Sequence, residues 1–201
     1  MSKQFTKEQD LLEDSFRLAV NIYNSGFRPD VIVGLWRGGS TVGIYVQECL
    51  QYLGVQTRHI AARTSYEGVE SYQQMVETPS RIRVHGLQYL YETLNHDDKL
   101  LIVDDVFASG KNVAAVIDKL QSKSKRNMPE DVRVATVWYR PDEHAVAGPP
   151  DFFLTQTEDW LVLPYELSGL SLSEIYENKP FLKDIIEGIR EQLPQGTQFP
   201  A

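Results

Sequence analysis

Two adjacent carboxylates, Asp104 and Asp105, follow the apolar run Leu100-Leu-Ile-Val103 and precede the small residues Ala108, Ser109 and Gly110. That order suits a sugar-phosphate site. Four uninterrupted apolar residues flanked by charge fit a strand buried on both faces of a parallel sheet, which puts the acids at its carboxyl end. The small residues form a tight turn. Val113 to Leu120 then reads as a helix, whose first turn offers backbone N–H groups to an anion.

Two other phosphate loops are excluded by spacing. A Walker loop requires glycine five residues before Gly110 and Ser or Thr after Lys111, where this chain has Asp105 and Asn112. A dinucleotide fingerprint requires G-x-G-x-x-G after a strand, and Gly34, Gly38, Gly39 and Gly43 do not fall at that spacing. A second loop lies in Asp30-Val-Ile-Val-Gly-Leu-Trp-Arg-Gly-Gly39, which reads as a strand from Val31 to Leu35 followed by a basic residue and paired glycines.

Together the acid pair with its small-residue turn and the Arg37-Gly38-Gly39 loop resemble the signature of the type I phosphoribosyltransferases. Within that family the chain is most similar to the hypoxanthine, xanthine and guanine enzymes, because Glu158-Asp-Trp-Leu-Val-Leu-Pro-Tyr-Glu166 resembles their base-binding segment. The resemblance implies transfer of the 5-phosphoribosyl group from 5-phosphoribosyl pyrophosphate (PRPP) to a 6-oxopurine with release of pyrophosphate, in purine salvage. It also implies Mg2+ as cofactor and a homodimer or higher homo-oligomer.

The resemblance implies roles by position. Asp104 and Asp105 would face the ribose hydroxyls, directly or through magnesium-bound water, and stabilise a cationic sugar. Ala108, Ser109, Gly110, Lys111 and Asn112 would wrap the 5′-phosphate, Lys111 itself being either a phosphate contact or a solvated charge. Arg37, Gly38 and Gly39 would hold the pyrophosphate. Ser65 and Tyr66 would belong to a flexible loop that closes over the reaction. Arg140, Trp160 and Leu161 would meet the base, with a core tryptophan as the alternative for Trp160. Glu166 would lie near the pyrophosphate or its metal, which substrate oxygens and waters chiefly bind. Two positions depart from the purine pattern: Ala108 replaces an aspartate, and Arg140 replaces a lysine. These departures leave open another base, adenine or a pyrimidine, or a PRPP-binding regulator without turnover.

The elements that must position these residues alternate in type, which implies an α/β fold: a mainly parallel sheet flanked by helices, with a small base-binding hood. One domain over residues 1–201 is expected, the hood coming mainly from 140–170 with the N-terminal helix. Thr6-Lys-Glu-Gln9 resembles a capping box, and Leu12, Phe16, Ala19 and Tyr23 recur at helical spacing toward Gly26. Strands are expected at Val31 to Leu35, Gln56 to Ala61, Leu100 to Val103, Val132 to Tyr139, Asp151 to Leu154 and Trp160 to Leu163. Helices are expected at Thr41 to Leu53, around Leu87 to Leu94, and at Pro180 to Arg190 with Leu182, Ile186 and Ile189 on one side. Arg63 to Arg83 reads as a mobile loop.

With 201 residues the chain can bury a full core, and no apolar stretch approaches the ~20 residues that span a bilayer. A net charge of −8 and a pI near 5.0 argue against nucleic acid as the main partner, since backbone phosphates draw on a basic surface. The polar first ten residues lack the apolar core of a signal peptide, so a cytoplasmic protein is expected. Cys49 reads as a buried thiol, and His59, His85, His96 and His144 are scattered without metal-ligand spacing.

Overall fold

The computed structural model describes residues 3–66, 82–142 and 145–192, and His144 lies outside them. At its centre are two parallel neighbours, β2 (Val31–Trp36) and β5 (Lys99–Phe107). Around them runs a six-stranded sheet in the order β4-β3-β2-β5-β6-β7, with β3 (Arg58–Tyr66), β4 (Ile82–His85), β6 (Asp131–Tyr139) and β7 (Phe152–Gln156). Every pairing is parallel except β3 with β4. The chain leaves β2 toward β3 but leaves β5 toward β6, so the two central strands diverge at their carboxyl ends. In open α/β sheets that switch point is where ligands bind.

The central strands are hydrophobic on both faces because helices cover both. Val31, Val33 and Leu35 of β2 and Leu100 and Ile102 of β5 share one core with Leu90 of α3 (Gln88–Thr93) and with Val113, Val116 and Leu120 of α4 (Lys111–Ser124). The alternate residues Ile32, Leu101 and Val103 are fully buried on the other side, where α2 (Gly38–Tyr52) packs on β2 and β5. Each such side chain contributes roughly 1.5–3 kcal/mol relative to exposure. α1 (Glu8–Asn24) meets α2 through the Phe16 and Tyr45 rings, whose centroids are 5.7 Å apart.

Several sequence expectations need correction. The strand carrying the acids does not stop at Val103; it pairs with β6 as far as Phe107, so Asp104 and Asp105 lie within it. The paired glycines are not loop residues but the first residues of α2. The proposed mobile segment is strand at both ends, since Arg63–Tyr66 and Ile82–His85 form an antiparallel pair whose polar residues mask the period. In α1 the buried side is Leu11, Ser15, Leu18, Ala19 and Ile22, so the expected stripe holds at Ala19 but not at Phe16, which is exposed; Ser15 is tolerated there because its hydroxyl donates to the Leu11 carbonyl. The Thr6 hydroxyl donates to the Val162 carbonyl at 3.2 Å. Cys49 is half-buried.

A second compact unit comprises residues 1–10 and 159–201, and residues 11–158 form the first; of the 140–170 stretch, the part up to Glu158 belongs to the larger unit. In the smaller unit β1 (Lys3–Phe5) pairs in parallel with β8 (Trp160–Val162). α5 (Leu172–Asn178), a 3-10 turn (Pro180–Leu182) and α6 (Lys183–Gln192) complete it. Val162, Leu170 and Ile175 form its core, against which Leu182 and Ile186 pack while Ile189 stays 46% exposed.

The approach of α2 to β5 leaves no room for a side chain at Gly39: a Cβ there would sit 2.3 Å from the Val103 carbonyl oxygen and 2.7 Å from the Asp104 Cα. We expect Gly39→Ala to destabilise by about 1–3 kcal/mol in denaturant titrations. Gly148→Ala, with nothing within 4 Å, should change stability by less than about 0.5 kcal/mol.

Candidate active site

The loop after β2 is very short. The peptide joining Trp36 and Arg37 is cis, Arg37 takes the N-cap position of α2, and Gly38 and Gly39 are buried in the first turn. The Arg37 side chain is exposed at the carboxyl end of the sheet. The Ser40 N–H donates to the Arg37 carbonyl at 3.2 Å, so the loop folds straight back into helix. Because Gly39 lies against Val103 and Asp104, this loop and the acid pair form one locality.

The acids are set by backbone donors. Asp104 Oδ1 accepts from the Asp105 N–H at 3.0 Å, and Asp105 Oδ1 accepts from the Val106 N–H at 2.7 Å. The Asp105 carbonyl is also bound, by the Thr136 hydroxyl of β6 at 2.7 Å. Burial, then repulsion from Asp105, then a hydrogen bond between the two carboxyls push Asp104 well above the ordinary carboxylate range. A like-charge pair in this position favours holding one proton or facing a cation.

The turn after β5 is built for close approach. Ala108 and Ser109 are buried, and Gly110 caps α4 with φ of 72°, a left-handed conformation that glycine adopts without strain. A Cβ at Gly110 would also meet the Phe107 ring at 2.8 Å. The turn's carbonyls are already engaged, Phe107 by the Arg140 N–H at 2.8 Å and Ser109 by the Val146 N–H at 2.9 Å. Helix geometry gives the opening N–H groups of α4 no acceptor within the helix itself, so the turn is rich in donors. The Lys111 N–H reaches the Ser109 hydroxyl at 3.5 Å.

Arg140 is half-buried where β6 ends, one backbone hydrogen bond from Phe107. Ser65 lies near the end of β3, with its hydroxyl 3.0 Å from His85 Nε2, and Tyr66 is the last residue of that strand. Asp104, Asp105, Ala108 to Asn112, Arg37 to Gly39 and Arg140 are thus gathered in the larger unit at the carboxyl ends of β2, β5 and β6.

Trp160, Leu161 and Glu166 are gathered in the smaller unit. Trp160 is half-buried against the Val162 cluster, and Leu161 is buried in β8. Beyond β8, Leu163-Pro-Tyr-Glu166 is a turn closed by the Glu166 N–H on the Leu163 carbonyl at 3.0 Å. Glu166 Oε2 accepts from the Leu163 N–H at 3.1 Å, and Lys179 Nζ donates to the carbonyls of Leu163 and Pro164.

Sequence reasoning missed two features of these units. His59 slots its ring against Gly34 and Gly43, with Nε2 buried and unpartnered, and burial lowers its pKa. Gly34 in β2 and Gly43 in α2, two positions without side chains, were the available signal. It also missed α5, although Ser171-Leu-Ser-Glu174 is a capping box that the structure forms. Among the described residues no cluster of three or more His, Cys, Asp or Glu side chains could hold a metal ion, and no helix is long and apolar enough to cross a membrane.

Residues 1–167 match the phosphoribosyl transferase domain family. Among solved structures, the chain is similar to a purine phosphoribosyltransferase from Pyrococcus horikoshii Ot3, with 21% identity, a TM-score of 0.61 and coverage of 85% of this chain and 99% of that one. A hypothetical protein from Neisseria gonorrhoeae with bound ppGpp gives 18% identity, a TM-score of 0.67 and coverage of 90% and 97%. The Helicobacter pylori xanthine-guanine-hypoxanthine phosphoribosyltransferase gives 17%, 0.59, 82% and 94%. No curated protein matches in sequence. At these identities the structural likenesses establish the fold, a mostly parallel sheet flanked by helices.

The raised Asp104 carboxyl has a consequence for stability. The folded protein holds that proton more tightly than the unfolded chain, so the stability present below the ordinary carboxylate range is lost as pH rises toward the raised value. Asp104→Asn removes the ionisation. In metal-free buffer its Tm should exceed that of the wild type at pH 8, by about 2–4 °C per kcal/mol recovered, and the gap should close toward pH 4. A gap independent of pH would refute this electrostatic account.

Proposed function

Because the chain belongs to the phosphoribosyl transferase domain family, we propose that it transfers the 5-phosphoribosyl group of PRPP to a 6-oxopurine, namely hypoxanthine, guanine or xanthine, and releases pyrophosphate. The reading extends to a purine-salvage role in the cytoplasm and to a homodimer or higher homo-oligomer. The observation that carries it is the packing of Gly39 on Val103 and Asp104, which puts a cation-bearing loop, an acid pair and an N–H-rich turn at one switch point.

The chemistry asks little covalent work of the protein. A base nitrogen displaces pyrophosphate from C1′ of the ribose as the sugar takes on oxocarbenium character, so positioning and electrostatics supply the rate. The turn from Ala108 to Asn112 anchors the 5′-phosphate through backbone donors and Ser109. From that anchor, Asp104 and Asp105 face the sugar, bind its hydroxyls and stabilise positive charge as it develops. Arg37 and the first turn of α2 hold the pyrophosphate, a guanidinium being able to engage two oxygens at once. Ser65 and Tyr66 border the reacting centre on the β3 side.

The acid pair fits a magnesium ion, since its hard oxygen donors suit that cation and a nearby positive charge relieves the raised Asp104 carboxyl. Asp104 and Asp105 would hold it partly through water, substrate oxygens and waters supplying the other positions. When bound, that ion neutralises charge on the departing pyrophosphate.

For the base, Trp160 stacks on the purine plane and Leu161 presents backbone to the ring edge. A second reading, a PRPP-binding regulator without turnover, is favoured by Ala108, which leaves the phosphate turn without an acid for proton transfer, and by the ppGpp bound to the Neisseria protein. Pyrophosphate release across a panel of purines and pyrimidines separates the readings. Release with a 6-oxopurine supports the first; release with adenine or a pyrimidine moves the base assignment; donor binding without release supports the second.

Asp105→Asn is expected to lower kcat by about 10²–10³, with fold and donor binding retained, because the lost charge acts on the transition state. Unchanged kcat would remove Asp105 from the mechanism. Trp160→Ala is expected to raise KM for the base roughly ten- to a hundredfold, the scale of a lost base–aromatic stack, with KM for PRPP little changed. Equal effects on both constants would return Trp160 to a packing role.

A further inference from the structure

The residues matched to the family end at 167, yet the chain continues into α5 and the 3-10 turn, and these reach back into the segment proposed to take the base. Lys179 makes the connection. It sits at the junction of the two elements, with its backbone held from both sides: its N–H donates to the Ile175 carbonyl at 2.7 Å, and its own carbonyl accepts from the Leu182 N–H at 2.9 Å. From this fixed point a side chain only 3% exposed carries its ammonium to the carbonyls of Leu163 and Pro164, 2.8 Å from each.

A lysine is almost never this buried unless its charge is met. Here successive carbonyls meet it, and the turn explains why they converge. Pro164 takes the second position, for which its ring presets φ, the Glu166 N–H closes the turn on the Leu163 carbonyl, and the Glu166 carboxylate accepts from the Leu163 N–H. Leu163 is therefore tied through both its backbone groups. It directly follows β8, the strand that carries Trp160 and Leu161. Lys179 fixes one end of that strand, and pairing with β1 fixes its length.

We propose that Lys179 is a positioning residue for nucleobase recognition: by gripping the carbonyls of Leu163 and Pro164, it sets where Trp160 and the Leu161 backbone present themselves to a purine. The proposal rests on the reading of Trp160 and Leu161 as base-binding residues. It makes the region beyond the family match part of the specificity apparatus.

Lys179→Met keeps the apolar stem and removes the ammonium, whereas Lys179→Gln keeps an N–H donor able to serve one carbonyl. Steady-state kinetics of the full chain with PRPP, magnesium and guanine, hypoxanthine or xanthine test both. KM for the base should rise roughly ten- to a hundredfold in Lys179→Met, the scale of a misplaced contact. It should rise less in Lys179→Gln, while KM for PRPP stays within about twofold in each. A role in stability alone would lower Tm and the active fraction, leave both KM values in place, and overturn the proposal. Trp160→Ala, run alongside, separates the two levels. If it raises the base KM while Lys179→Met does not, the positioning role of Lys179 falls and the base site stands. If neither does, the base-site reading falls and takes the proposal with it. Failure of both Lys179 variants to fold would assign the residue to stability and equally defeat the proposal.

Discussion

The larger unit depends on how closely α2 comes to β5. A helix normally keeps its axis 8–10 Å from a packed neighbour because side chains intervene. At Gly39 none does, and backbone meets backbone: a methyl group would already overlap the Val103 carbonyl. The loop bearing Arg37 therefore lies directly over the strand bearing Asp104 and Asp105. Gly34 and Gly43 extend the same logic along α2, where the absent side chains admit the His59 ring between β2 and the helix. A sequence without glycine at these positions would push α2 outward and separate the cation from the acids.

That closeness has an electrostatic cost which the fold retains. Asp104 lies where burial and a neighbouring carboxylate both disfavour its charge. The hydrogen bond from the Asp105 backbone N–H offsets only part of this, since it serves a single oxygen. A core built for stability alone would place an apolar or amide side chain there. Retaining two acids makes sense if a cationic partner, either a sugar approaching its transition state or a hydrated metal ion, supplies the missing charge in the working complex. Native states commonly carry such strain where ligands bind.

Much of the larger unit was legible because its signals are local. The run Leu100 to Val103 is apolar without alternation, so a strand covered on both faces was readable directly. Gly110 was readable as a turn because the left-handed conformation it adopts favours glycine. Boundaries were less legible. The acids were read as the end of β5, but hydrogen bonding to β6 carries the strand past them to Phe107, and no local preference of aspartate reveals a partner strand. The start of α2 was placed at Thr41 because Gly38 and Gly39 are poor helix formers, and tertiary contact with β5 overrode that preference. Phe16 and Leu11 show the same limit within α1. Both are apolar, and nothing in their own type says which is buried.

The smaller unit was legible in its strand at Trp160 and its helical stretch from Pro180, but not in the ties that join its parts. Its ties are long in sequence: Lys3 to Phe5 pair with Trp160 to Val162, and Lys179 reaches back to Leu163. Lys3 also bridges Glu174, whose carboxyl is held down to about 2 by that ammonium and by donors from Ser171. None of these follows from a local pattern, since three residues make a strand only when a partner is present. If the base is read in this unit, its choice can drift while the acid pair, the cationic loop and the phosphate turn stay fixed. The family-wide motifs then belong to the sugar phosphate, and the individuality of this chain belongs to the segment framed by β1, Trp160 and Lys179.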